Sequence, residues 1–312
     1  MTGAPIRLHA LLTGERILIT GVTGQIAFPM AKHLARDNEV FGLARFSEPG
    51  SRRRVEDAGI TPVPCDLASG DLSNVPGDVT RLIHLAAFQG PGHDYDLALR
   101  NNAEATGFVL QHCRGAQAAL VMSTHSVYKP NPDAAHVYVE TDPLGDVNPQ
   151  HSPTYSVSKL GQEAVARFCA RAFDLPVTIA RMNASYGPNG GLPAMHADAI
   201  AAGVAISTRW DPCWYSPIYE DDINEQVGAL LDAARVPATI VNWAGDEVVS
   251  VQEWAAYAGE LLGVVPTVNV APIEGTLRGS IADVTRRRQI TGPCHVDWRE
   301  GMRRTIAARH PA

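Results

Sequence analysis

The sequence predicts an α/β protein built on a doubly wound parallel sheet with a smaller C-terminal region, and three features of the chain carry that reading. A short apolar run, Arg16-Ile17-Leu18-Ile19-Thr20, hands over at once to a glycine turn and then to a helical pattern that reaches Ala35. Further strand-length apolar runs then alternate with helical periodicity, the order that gives parallel strands covered by helices on both faces. After Arg181 the texture changes, as Gly187, Pro188, Gly190, Gly191 and Pro193 interrupt the chain and loops follow.

Taken in order, the runs at residues 40–43, 62–65, 81–86, 119–123 and 177–181 read as the second to sixth strands. Residues 101–113 and 156–173 read as helices between them. Beyond Arg181, residues 194–202, 222–234 and 251–262 have helical periodicity, with a strand at 239–242. The expected organisation is a poorly ordered leader over 1–14, a dinucleotide-binding unit over 15–181 and a mainly substrate-binding region over 182–312. A segment near 215–245 is expected to return to the first unit.

Composition narrows the class. The chain has 312 residues, of which 45% are hydrophobic and 19% charged, enough to bury a sizeable core. A formal charge of −7, from 26 basic and 33 acidic residues, gives no electrostatic footprint for nucleic acid or an anionic membrane. Cys65, Cys113, Cys169, Cys213 and Cys294 form no close pair, so neither a zinc site nor a disulfide framework is expected, and the cytoplasm is the expected compartment. No apolar run approaches the ~20 residues of a membrane span. Arg52-Arg53-Arg54 and Arg286-Arg287-Arg288 read as solvated faces.

Thr20-Gly21-Val22-Thr23-Gly24-Gln25-Ile26-Ala27 lies where the first strand meets the first helix, so its backbone amides point at whatever sits beyond the helix N-terminus. A pyrophosphate fits there, with Gly21 allowing the tight turn, Gly24 the close approach of ligand to backbone, and Ala27 the packing of helix on sheet. Thr23, Gln25 and Ile26 complete the turn of a Rossmann-type dinucleotide site. Such folds place an acidic residue at the end of the second strand to hold the adenosine ribose. Here Ala44-Arg45 stands in its place. A guanidinium favours a ribose 2′-phosphate, so NADP(H) is the expected cofactor, with NAD(H) as the alternative, Arg45 as the contact and Arg52 or Arg53 as helpers.

Tyr155-Ser156-Val157-Ser158-Lys159 places a phenol and an ammonium on one helical face. A nearby cation is expected to lower the phenol pKa, letting it exchange a proton with a carbinol oxygen while a nicotinamide exchanges the hydride. Upstream, Val121-Met122-Ser123-Thr124-His125-Ser126-Val127-Tyr128 delivers hydroxyls at the C-terminal end of the fifth strand, where ligands of open α/β sheets collect.

With these motifs in this order the chain resembles the extended short-chain dehydrogenase/reductases, the NAD-dependent epimerase/dehydratase family, from Glu15 to about Ala308. The resemblance rests on the glycine turn, Asp66-Leu67, Leu85-Ala86-Ala87, Asn102, Thr124, Tyr155 with Lys159, and Tyr186-Gly187-Pro188. It implies that Asp66 and Leu67 flank the adenine, that Ala86 and Ala87 pass near the cofactor phosphates, and that Asn102 belongs to the cofactor site. It also implies that Lys159 holds the nicotinamide ribose and that Thr124 anchors the reacting oxygen. Arg181 and Asp222 match family positions but read equally as structural partners. The resemblance further implies a homodimer formed through the helix of Tyr155 and the helix around Asn102. Ala164, Val165, Phe168 and Phe173 then either face the partner or pack on the sheet.

The substrate side departs from the nucleotide-sugar members. Ala184 falls where they hold the sugar diphosphate with an asparagine, Asn183 lies one residue early, and Trp214-Tyr215-Ser216 replaces their arginine, although Arg209 precedes the turn. His125-Ser126 stands where 4,6-dehydratases carry an acidic pair, so dehydration is not expected. Phe88, His125, Asn183 and Trp214 are the substrate candidates. The leading expectation is an NAD(P)(H)-dependent oxidoreductase interconverting a carbonyl and an alcohol of a small-molecule substrate. The alternatives are a nucleotide-sugar epimerase using the same three residues and a silent cofactor-binding protein. No metal is expected.

Overall fold

The structure, a computed structural model, describes residues 12–147 and 152–311. The first half alternates strand and helix: β1 (Arg16–Thr20), α1 (Ala27–Leu34), β2 (Glu39–Ala44), α2 (Ser51–Asp57), β3 (Thr61–Pro64), β4 (Arg81–His84), α3 (Tyr95–Leu99), α4 (Ala105–His112) and β5 (Ala118–Thr124). Then come β6 (Val137–Tyr138), α5 (Tyr155–Ala172), β7 (Val177–Met182), β8 (Ser185–Gly187), β9 (Gly190–Gly191) and α6 (Leu192–Ala201). The remainder comprises β10 (Ile206–Thr208), β11 (Trp214–Tyr215), β12 (Ile218–Tyr219), α7 (Glu220–Asp232), β13 (Thr239–Trp243), β14 (Val249–Ser250), α8 (Val251–Leu262), β15 (Val268–Val270), β16 (Ile281–Ala282), α9 (Thr285–Thr291) and α10 (Trp298–Arg309).

Seven strands form one parallel sheet in the order β13-β7-β5-β4-β1-β2-β3. The winding direction reverses beside β1, so the crevice at the strand C-termini opens at the glycine turn. Strand alternation sorts the core. Ile17, Ile19, Leu120, Met122, Ala180 and Met182 face one side with residues of α1 and α7. Leu18, Ala119, Val121, Val177 and Ile179 face the other with residues of α4 and α5. A third cluster unites α6, α8 and α10 around Trp254, Trp298 and Tyr186. β13 returns to the edge of the large sheet by pairing with β7.

Three details differ from the sequence expectation. β4 stops at His84 because Leu85 and Ala86 turn their amides onto Thr20 Oγ1, each at 3.1 Å. The helix expected over 101–113 opens with a π-helical stretch, Arg100–Glu104, and becomes regular only at Ala105. Of the leader expected to be poorly ordered, residues 1–11 lie outside the described residues, whereas 12–14 are tied down: Asn38 Nδ2 donates to the Leu12 carbonyl and Gly14 N to the Asp37 carbonyl, both at 2.8 Å. β3 carries Pro62 and Pro64, and its place at the sheet edge spares the missing donors a ladder partner.

Candidate active site

A cavity of about 540 Å³ runs along the strand C-termini from the glycine turn to the start of α5. Gly21, Thr23, Gly24, Gln25 and Ile26 line one end, together with Arg45, Asp66, Leu67, Ala86 and Ala87. Gly21 has φ +71°, and a Cβ there would lie 2.9 Å from Ala86 Cα, so the turn and the β4 loop touch only because Gly21 has no side chain. No side chain caps α1; Phe28 N donates to the Gly24 carbonyl and Pro29 has no N–H, so the amides open to a ligand are those of Gln25, Ile26 and Ala27. Uncapped helix, bare turn and lining guanidinium are the donor set that a dinucleotide phosphate requires.

The basic residues expected near the second strand divide three ways. Arg45 lines the cavity, is exposed and forms no ion pair among the described residues. Arg52 and Arg53 do not line it. They pair one turn on with Glu56 and Asp57, which corrects their assignment as helpers. Arg54, expected on a solvated face, stacks 3.7 Å over the Phe28 ring and donates to Asn189 Oδ1 at 2.6 Å. Asn189 in turn donates to the Gln25 carbonyl at 2.7 Å, and Gln25 Nε2 to Ser185 Oγ at 3.2 Å, so the chain after β7 straps the glycine turn from outside.

Asn102 also departs from its expected role. It is fully buried in the π-helical stretch, does not line the cavity, and bonds both backbone groups of Phe88 (2.7 and 2.9 Å) and Ser158 Oγ (2.9 Å). It holds the β4 loop to α5.

Thr124, Tyr155 and Lys159 meet at the other end of the cavity. Thr124 ends β5, and Tyr155 opens α5. Lys159 Nζ donates to the Met122 carbonyl at 2.7 Å. Burial raises the Tyr155 pKa, with the Thr124 hydrogen bond opposing, and the lysine does not supply the lowering that the sequence led us to expect. Lys159 itself is only 2% exposed, and burial pulls it down to about 7 against the attraction of Glu163. The site therefore presents a protonated phenol beside an ammonium that releases its proton near neutrality.

Of the substrate candidates, Phe88 and Asn183 line the cavity, whereas His125 and Trp214 do not. Asn183 is consumed internally: Nδ2 donates to the Ser280 carbonyl at 2.7 Å, and Oδ1 accepts from the amides of Ala184 and Ser216. His125 is buried among Tyr128, Tyr138 and Ser280, and burial lowers its pKa to about 3, which removes it from proton transfer near neutral pH. Trp214 pairs with Ser250 in the small β11–β14 sheet. Arg181 and Asp222 are structural, the first gripping Glu163 and the second accepting from the amides of His295 and Val296.

The sequence assigned Ser123 no role beyond a hydroxyl at the end of the fifth strand, and Glu163 was not singled out. Ser123 Oγ donates to Glu163 Oε1 at 2.5 Å, and both are buried beside the site. A signal was available, since Glu163 continues the spacing of Tyr155 and Lys159 by another four residues on a face that must be buried.

Fold and site together define an enzyme of the extended short-chain dehydrogenase/reductase class. The family model for the NAD-dependent epimerase/dehydratase family matches residues 17–207, and the chain belongs to that family. Trifunctional UDP-glucose 4,6-dehydratase/UDP-4-keto-6-deoxy-D-glucose 3,5-epimerase/UDP-4-keto-L-rhamnose-reductase proteins of Arabidopsis thaliana are 28% and 29% identical over 193 residues, 56% of this chain. The matched stretch spans 28% of those longer proteins. Among solved structures, UDP-glucuronic acid 4-epimerase of Bacillus cereus with UDP-glucuronic acid and NAD superposes with a TM-score of 0.80 at 21% identity, over 94% of this chain and 98% of that one. UDP-glucose 4-epimerase of Thermus thermophilus with NAD gives 0.80 at 24% identity, over 95% and 99%. At these identities the superpositions speak to the fold. Among the described residues no helix is long and apolar enough to cross a membrane.

Proposed function

We propose that the protein interconverts a carbinol and a carbonyl carbon of a small-molecule substrate with a nicotinamide dinucleotide. The observation that carries this reading is the convergence of Thr124, Tyr155 and Lys159 on the cavity whose other end is the bare glycine turn. The bound cofactor supplies the hydride donor or acceptor. Tyr155 Oη gives a proton to the substrate oxygen in reduction and takes it back in oxidation, Thr124 Oγ1 donates a hydrogen bond to that oxygen, and Lys159 holds the cofactor ribose and stabilises the phenolate when it forms. Phe88 contributes an apolar ring to the cavity lining. The test is a screen of purified protein for reduced-cofactor oxidation on a carbonyl panel, alongside UDP- and dTDP-sugars.

Arg45 at the adenosine end supports NADP(H) over NAD(H), although the solved relatives above hold NAD. Five unpaired cysteines support a reducing compartment, and the outward side chains of Val157 and Phe168 on α5 support a homodimer. We also propose that residues 15–181 form the dinucleotide-binding unit, with the β12–β13 stretch completing it and most of the remaining C-terminal residues forming the substrate-binding region.

A second reading, a nucleotide-sugar epimerase that returns the hydride to the substrate and recycles its cofactor, is supported by the solved relatives and by one local feature. Arg209 Nη2 donates to Tyr215 Oη at 2.6 Å, and no carboxylate pairs with this guanidinium among the described residues. A half-buried cation without a counter-ion suits an anionic substrate group, although Arg209 does not line the cavity itself. Net cofactor consumption separates the two readings: stoichiometric oxidation supports reduction, and conversion of a UDP-sugar without net oxidation supports epimerisation.

A further inference from the structure

The inner face of α5 changes character along its length. Ala166, Cys169 and Ala170 pack on Val121, Val177 and Ile179 of the sheet, an apolar contact of small side chains with no directional bond. Toward the strand C-termini the same face of the sheet becomes polar. Ser123 and Arg181 stand opposite one another in register on β5 and β7. Glu163 meets both, accepting from Ser123 Oγ at 2.5 Å and gripping Arg181 through Nε at 2.9 Å and Nη2 at 2.8 Å. Arg181 is further fixed by the Glu140 carbonyl at 3.0 Å and by the Tyr128 ring at 4.9 Å. Glu163 is 3% exposed and Arg181 1%, so this is a fully enclosed, bidentate pair.

Tyr155, Lys159 and Glu163 recur every four residues on one helical face, and they engage three consecutive residues of β5. Tyr155 meets Thr124, Lys159 meets the Met122 carbonyl, and Glu163 meets Ser123. We propose that Glu163 is a positioning residue of the active site, fixing α5 lengthwise against β5 and β7 and holding the positive charge on Lys159. An α-helix rises about 1.5 Å per residue, so a slip of one residue along the smooth apolar contact displaces the phenol and the ammonium by that amount. A misplacement near 1 Å costs reactions of this kind on the order of 100-fold. At the site end of the helix, single bonds from Lys159 to the Met122 carbonyl, from Asn102 to Ser158 and from Gln162 to Thr106 also oppose such a slip, and Glu163 adds the bidentate, charged grip that ties the helix to both β5 and β7.

Titratable groups face Lys159 from its own helix and from the sheet. Tyr155 and Glu163 lie on its own helix, one turn to either side, and His84 faces it from β4. Arg181 on β7 and Tyr128 stand behind Glu163. Asn102 and Thr106, from the segment leading into α4, are uncharged. Glu163 is thus the one anion in this set, opposing the burial that strips the lysine of its proton.

This inference rests on the role given to Lys159 above, and its main test needs no substrate. The sequence contains three lysines, Lys32, Lys129 and Lys159, and the first two are exposed. In the full chain labelled with ¹³C at lysine Cε, one of three NMR resonances therefore reports the buried group, and Lys159→Met identifies it. The wild-type midpoint is expected near 7. Glu163→Gln is expected to lower it by about one pH unit or more. An unchanged midpoint, or a rise toward the ordinary value that water entry into a loosened site produces, overturns the charge role. If Glu163→Gln does not fold, Glu163→Leu with Arg181→Met replaces the pair by apolar side chains, and the same fall is required. Glu163→Asp separates position from charge. It is expected to keep the midpoint and the cofactor affinity while turnover of any wild-type substrate falls about 10-fold or more, and full turnover in this variant overturns the positioning role.

Discussion

Thr20 Oγ1 lies 2.8 Å from His84 Nδ1, and this contact fixes the protons of a buried chain of four side chains. Thr20 Oγ1 already accepts from the amides of Leu85 and Ala86, so it donates to Nδ1. The imidazole is therefore protonated at Nε2, which donates to Thr106 Oγ1 at 2.8 Å. Thr106 also accepts from Gln162 Nε2 and gives its own proton to the Asn102 carbonyl at 2.6 Å. One neutral tautomer satisfies the chain, and it links the β4 loop under the glycine turn to α4 and α5.

A second proton on His84 would break this arrangement, and burial, helped by Lys159, lowers its pKa from 6.5 to about 3. His125 is held equally low by burial. Between these limits the unfolded chain binds protons that the folded chain refuses, so stability falls as pH falls. Each imidazole adds a slope of up to about 1.4 kcal/mol per pH unit. Urea unfolding between pH 7 and 4 is expected to show this decline, and His84→Leu, although less stable throughout, is expected to flatten it by one such increment.

At the glycine turn, Gly21→Ala forces a left-handed backbone on alanine and drives its Cβ into Ala86, whereas Gly24→Ala meets only the Gly21 carbonyl, at 3.0 Å. Gly21→Ala is expected to cost on the order of 1–3 kcal/mol and to weaken cofactor binding, with Gly24→Ala milder in stability. Thermal unfolding and cofactor titration of the two variants check the order.

Cofactor preference is expected to depend on Arg45. NADPH is expected to bind more tightly than NADH, and Arg45→Ala to remove most of a difference of about 1–3 kcal/mol. Arg52→Ala and Arg53→Ala, whose guanidinium groups pair within α2, are expected to leave the preference intact. Fluorescence titration with both cofactors reads all three variants.

The strands of the large sheet were legible because their apolar runs are continuous, as buried parallel strands require, and α8 was placed to the residue by its helical periodicity, which the structure bounds with the Ser250 cap and Gly263. Thr124, Tyr155 and Lys159 were found because their spacing follows one strand end and one helix face. Asn102, Asn183 and Arg287 were misread for a common reason: each spends polar atoms on groups far away in sequence. Asn102 is 56 residues from Ser158, Asn183 is 97 from Ser280, and Arg287, expected on a solvated face but fully buried, is 41 from Asp246. Spacing within one element carries no trace of such bonds. The effect of burial on Tyr155 and Lys159 was hidden likewise, because desolvation depends on what the whole fold packs around them.

On the dimer, the structure divides the four side chains named from the sequence. Val165 and Phe173 pack against the buried cluster that α4 and α5 form with the sheet, Val165 beside Gly107 of α4, while Ala164 and Phe168 point outward, Phe168 with 66% of its surface exposed, alongside Val157. Phe168→Asp is expected to give a monomer where the unmodified protein gives a dimer, with folding preserved. Light scattering at micromolar concentration reads the mass directly.

Tyr155 stands at the centre of the proposed reaction as its proton donor and acceptor. The most direct measurement compares Tyr155→Phe with the unmodified protein, in cofactor affinity and in turnover of a substrate found by the carbonyl and nucleotide-sugar screen. Removing one hydroxyl leaves the glycine turn, Arg45 and the Lys159 contact with the Met122 carbonyl in place. Tyr155→Phe is expected to show a near-normal cofactor dissociation constant and turnover reduced by about 10²–10⁴; full turnover in this variant would rule out Tyr155 as the proton carrier.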